Sequence, residues 1–167
     1  MTLSMSKIAV PAFEQTISAL IKILDKAEAH CAARKIEPSV LIGARLYPDM
    51  FPLSRQIQIV SDAARGAMAR LTGSEPPKWE DNEKSFAELK ARLNKTLEAI
   101  GAVGSKIDGS EGREVKFKAG SMELSLRGDA YLTNWAFPNF FFHAATAYDI
   151  LRHNGVELGK RDFLNRA

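Results

Sequence analysis

The chain is short of the residues that most directly announce chemistry: 167 positions hold one cysteine and three histidines. A lone thiol, Cys31, cannot close a disulfide within the chain, and such usage suits a reducing compartment, so a cytoplasmic location is expected. No G-x-S-x-G elbow is present and Cys31 has no C-x-x-C partner, which argues against nucleophilic hydrolase chemistry. The glycine-dense stretch GAVGSKIDGSEG at 101–112 lacks G-K-[ST], follows no strand and opens no helix. Kinase and dinucleotide readings therefore lose their phosphate cradle. Long apolar runs are also missing. Nothing approaches the length of a bilayer span, and MTLSMSKIAVPAF has no signal-peptide core, so no membrane association is expected. Charge of one sign is scarce too: 23 Lys and Arg oppose 20 Asp and Glu, interleaved as in KILDK at 22–26. Without a clustered basic face, nucleic-acid binding is not expected.

What is present is helical periodicity in one domain, 1–167, with 46% apolar and 26% charged residues. Phe13, Ile17, Leu20, Leu24, Ala27 and Cys31 share a face, predicting a helix from about Pro11 to Cys31, with a short kinked lead-in before Pro11 as an alternative. PSVLIGARLYPDMFP at 38–52 predicts one helical turn over 39–43 and then a loop. A second long helix is predicted from Leu53 to Leu71, opened by Pro52 and stopped by Thr72-Gly73. After the linker SEPPKWEDNEK, a third runs from about Asn82 to Ala102 with Asp81 as N-cap. Alternation of Val115, Phe117, Met122, Leu124 and Leu126 around Ala119-Gly120 predicts a hairpin. A last helix, kinked or broken at Pro138 and closed by Gly155, is followed by a tail read as an extended arm. The fold class is all-α: a four-helix bundle with a short β-hairpin inserted before the last helix.

Two clusters merit chemical scrutiny. In PNFFFHAATAYDILRHNG, His143 sits among phenylalanines and is expected to be the partly buried histidine, with Asn139 one turn earlier. Two histidines at that spacing would supply a metal site, but an amide is a poor ligand for zinc or nickel and better suited to hydrogen bonding. A core histidine satisfied by Asn, Gln or backbone groups is the plainer reading. His30 and His153 read as solvated. In ARLYPDMFPLSRQ, Arg45, Tyr47 and Asp49 stand in a proline-framed loop that could line a pocket. The local alternative has Asp49 capping the next helix and Arg45 pairing with a carboxylate.

ARLYPDMFPLSRQIQIVSDAARGAMARLTG together with LRGDAYLTNWAFPNFFFHAATAYDILRHNGVELGKRDFL resembles a bacterial domain-of-unknown-function family within the DinB-like superfamily. The resemblance implies the DinB-like four-helix bundle and assembly as a homodimer. It also implies a three-histidine metal site, with one ligand near Gln56 on the second helix and two on the last helix at Asn139 and His143. Only His143 retains the ligand type, so no metal or other cofactor is expected. The expectation is a small polar pocket of Gln56, Asn139 and His143, with Tyr47 and Asp49 beside it, binding a small molecule. One alternative is a metal-dependent transferase or hydrolase holding a divalent ion such as zinc or nickel at His143, with Asp49, Asp62 or Asp149 as substitute ligands. Another is a purely structural or interaction module. Dimerisation is further expected from Trp135, Phe137, Phe140 and Phe141, which crowd one segment.

Overall fold

The computed structural model describes residues 3–166. Four long helices, α1 (Met5–Arg34), α3 (Leu53–Leu71), α4 (Phe86–Val103) and α6 (Phe137–His153), form the bundle. Short helices α2 (Pro38–Ile42), α5 (Gly128–Tyr131) and α7 (Lys160–Phe163) lie between or after them. Around the bundle, α1 packs on α4 and α6, and α3 packs on the same two helices from the opposite corner. Their apolar stripes meet in one core that includes Phe13, Ile17, Leu20, Ile57, Val60, Leu89, Leu93, Phe140 and Ile150. Every residue of the stripe proposed for the first helix is buried, Cys31 included.

Helix α1 begins at Met5 rather than Pro11, with Pro11 carried inside it. As the seventh helical residue, Pro11 forfeits one ladder bond and crowds the carbonyl of the preceding turn, and the helix continues through it. Helix α3 spans the predicted residues. Helix α4 starts four residues later than expected, because Ser85 and not Asp81 is the N-cap. Ser85 and Glu88 form a reciprocal capping box, whereas Asp81 turns to Arg55 and Arg92. Those contacts fasten the linker to the bundle. Arg92 also pairs with Asp62 and Glu83 at 2.8 and 2.9 Å, and Trp79 lies between Arg65 and Lys95.

The hairpin pairs β1 (Glu114–Ala119) with β2 (Met122–Arg127) through a two-residue turn in which Gly120 has φ 61°. A lone hairpin is marginal in water. This one leans on the bundle: Val115 and Phe117 are buried, and Phe117 stacks on Tyr131 and Trp135 at 5.1 and 5.0 Å between ring centres. After α5 the backbone widens into a π turn over Leu132–Ala136 and runs on as α6 through Pro138. The proline therefore does not break the helix. Its missing N–H is accommodated by widening the preceding turn. Gly155, at φ 90°, follows the end of α6 as expected. The tail is no extended arm throughout: α7 forms once Gly159 N–H donates to Asp162, and Phe163 packs on Tyr148.

Candidate functional site

Gln56 lies in the first turn of α3 and is buried despite its polarity. A buried amide must find partners on both ends. Its Nε2 donates to the Phe51 carbonyl at 3.1 Å, in the loop before α3. That bond orients the amide, so Oε1 faces across to α6 and meets His143 Nδ1 at 2.6 Å. A carbonyl oxygen only accepts, so Nδ1 carries the proton. The neutral ring then presents Nε2 as a lone pair, and no protein hydrogen bond reaches Nε2 among the described residues. Burial of the half-covered ring, followed by the nearby Arg55 charge, holds the His143 pKa below its ordinary value. At neutral pH the site offers an uncharged imidazole acceptor.

Asn139 is one helical turn before His143 but does not join this pair. Its Nδ2 donates to the Trp135 carbonyl at 2.8 Å, where the π turn perturbs the backbone ladder. The three polar residues expected to share a pocket thus divide into a bonded pair and a residue that serves its own helix. Tyr47 and Asp49 are exposed, and no hydrogen bond links either to His143 or Gln56 among the described residues. Asp49 does not cap α3, and Arg45 donates to the Met50 carbonyl at 2.5 Å instead of pairing with a carboxylate. The loop touches the site through the Phe51 backbone. Of the other histidines, His153 is exposed as expected, while His30 is partly covered beside Gly155.

The residues here do not make a donor set for a divalent metal. Beside His143 stand two amides, both already committed to hydrogen bonds that orient them. No group of three or more His, Cys, Asp or Glu converges among the described residues. Of the substitute carboxylates, Asp62 is bonded to Arg65 and Arg92, and Asp49 and Asp149 are exposed. Zinc or nickel requires three or four convergent strong donors.

Comparison with known proteins places this geometry in a lineage. Residues 5–164 match the family described as a domain of unknown function, DUF1993. The chain belongs to the DUF1993 family. A crystal structure described as a DinB family member protein from Shewanella denitrificans is similar to it, at 37% identity and a TM-score of 0.86. The match covers 95% of this chain and 90% of that one. Among curated proteins none matches. The DUF1993 chain is thus a DinB-like helical bundle with a two-stranded hairpin before its final helices. Among the described residues, no helix is long and apolar enough to cross a membrane.

A second polar feature escaped the sequence reading. Ser61 and Thr96, both fully buried, share a 2.7 Å hydrogen bond between α3 and α4, beside the Arg92 cluster. Their helical spacing from apolar neighbours was visible, but only the pairing of α3 with α4 makes them partners.

Proposed function

We propose that this DUF1993 protein is a homodimer that binds a small polar molecule at His143, without a three-histidine metal site. The observation that carries the reading is the His143–Gln56 bond. It holds one tautomer in place and leaves Nε2 as a neutral acceptor for an N–H or O–H of the ligand. The Phe142 ring lies 5.2 Å from the His143 ring between centres, and Phe51 supplies the carbonyl that orients Gln56. Phe142 is 57% and Phe51 53% exposed, and Tyr47, in the same loop as Phe51, is exposed too. These rings supply apolar area for a second subunit or for the ligand's body.

The test is a thermal-shift screen of small hydroxyl-, amide- and amine-bearing compounds on the intact chain and on His143→Phe. A ligand at about 100 times its Kd should stabilise the parent by about 2.7 kcal/mol and leave the variant unmoved. If no compound separates the two proteins, the bundle is a structural or interaction module. Elemental analysis of protein purified without chelator addresses the other reading. Stoichiometric zinc or nickel that is lost in His143→Ala would favour a metal-dependent transferase or hydrolase.

A further inference from the structure

The hairpin leaves a strand edge unpaired, and the residues on that edge complement themselves. The sheet has two strands, so β2 pairs with β1 on one side and with no strand on the other. Just beyond the last ladder pair, Glu114 with Arg127, the Gly128 N–H donates to the Arg113 carbonyl at 2.8 Å. Hydrogen-bonded pairs alternate along an antiparallel ladder, so Val115–Leu126, Phe117–Leu124 and Ala119–Met122 are the bonded ones. The backbone N–H and C=O groups of Glu123, Ser125 and Arg127 therefore point outward. No backbone hydrogen bond reaches them among the described residues, and all three residues are exposed.

Side chains alternate between the faces of a strand. Glu123, Ser125 and Arg127 share the solvent face, while half-buried Leu124 and Leu126 share the face of buried Phe117 and Val115. Read backwards, the order negative, neutral, positive is its own electrostatic complement. A second copy of β2 laid antiparallel about Ser125 brings its Arg127 opposite Glu123 and its Glu123 opposite Arg127. On the other face Leu124 meets Leu126 of the second copy. In this register the outward backbone groups of all three residues find partners. Glu123 reaches Lys118 at 3.4 Å and Arg127 reaches Asp129 at 3.1 Å within the chain. These side chains are 80% and 68% exposed, so such pairs hold weakly against a better one. Strand β1 lacks the property. Its outward residues are Glu114, Lys116 and Lys118, and pairing about Lys116 sets two lysines opposite each other. Edge lysines guard against such pairing, and β2 has none.

We propose that the outer edge of β2 is a two-fold docking edge for a second copy of this chain, joining two hairpins into one four-stranded antiparallel sheet. A contact of this symmetry needs a surface that complements itself, which the charge order of β2 supplies. The hairpin packs on Arg70 near the end of α3, whereas His143 meets Gln56 at its start. The contact is thus independent of the His143 reading. One strand edge is small beside a stable interface, so the pairing belongs to millimolar rather than micromolar concentrations.

The test is NMR of the isotope-labelled intact chain from micromolar to millimolar concentration. The amides of Glu123, Ser125 and Arg127 should shift with concentration and exchange their protons more slowly. Glu123→Arg and Arg127→Glu each set like charges opposite each other at both ends of the contact, and should weaken it by about tenfold or more. Mixing the two variants restores opposite charges at both ends, so the shifts should return in the mixture and be lost in either variant alone. Both positions are exposed, so neither variant should lose its fold. Amides of β2 that ignore concentration in the parent would overturn the proposal and leave the edge to an extended segment of another protein. Shifts confined to Glu114, Lys116 and Lys118 would overturn it too, as would a mixture that associates no better than the separate variants.

Discussion

At the scale of single residues, the chemistry turns on how an amide disposes of its two ends. Gln56 spends its N–H on the Phe51 carbonyl and so turns its oxygen to His143. Protonating His143 does not break that bond, because Nδ1 remains the donor. The cost comes from placing a charge in a half-covered site near Arg55. With the folded pKa lowered, the unfolded chain binds more protons at mildly acidic pH. The contribution of His143 to stability is then complete above about pH 6.5 and falls away as pH drops through the depressed folded value. Urea unfolding of the parent minus His143→Phe should show this decline between neutral and acidic pH; parallel curves would contradict it. In NMR titrations Arg55→Gln should raise the His143 pKa only part of the way back, because burial is the larger cause. The sequence pattern made His143 conspicuous among phenylalanines. It could not show that Asn139 would bond Trp135, since that depends on a π turn created upstream of Pro138.

At the scale of elements, punctuation was readable wherever it was local. Pro52 and Thr72-Gly73 bracket α3 in sequence as they do in space. The start of α4 was harder, because Asp81 and Ser85 are both good caps by residue type. The choice is tertiary: Arg92, buried between α3, α4 and the linker, takes Asp81. Two substitutions separate these roles. Ser85→Ala removes the capping box and should cost about 1 kcal/mol in urea unfolding. Arg92→Met leaves Asp62, Asp81 and Glu83 facing one another without their shared cation. A loss near the lower end of the range for a broken buried pair, about 3 kcal/mol, is expected because two of those carboxylates are partly solvated. Equal effects from the two variants would mean that the linker is held by something other than Arg92.

At the scale of the whole molecule, the aromatic crowding around Pro138 is largely resolved within the chain. Phe140 is fully buried, Phe13 stacks on Phe137 and Phe140 at 5.3 and 4.8 Å, and Trp135 packs on Phe117. The large rings left outside are Tyr47, Phe51 and Phe142, with Phe141 at 37% exposure. If two copies associate, the contact should be centred there rather than on Trp135 and Phe137. Light scattering at micromolar concentration should then return twice the chain mass. Phe142→Ser removes an aromatic anchor whose exposure in the single chain means that folding loses little with it. A central aromatic of this kind carries about 2 kcal/mol or more of binding, so the dimer should weaken by roughly 30-fold or more while the melting of the isolated subunit barely moves. A parent that scatters as a monomer would refute assembly. A dimer indifferent to Phe142→Ser would move the interface to another face, and the proposed ligand site at His143 would then face solvent instead of a partner.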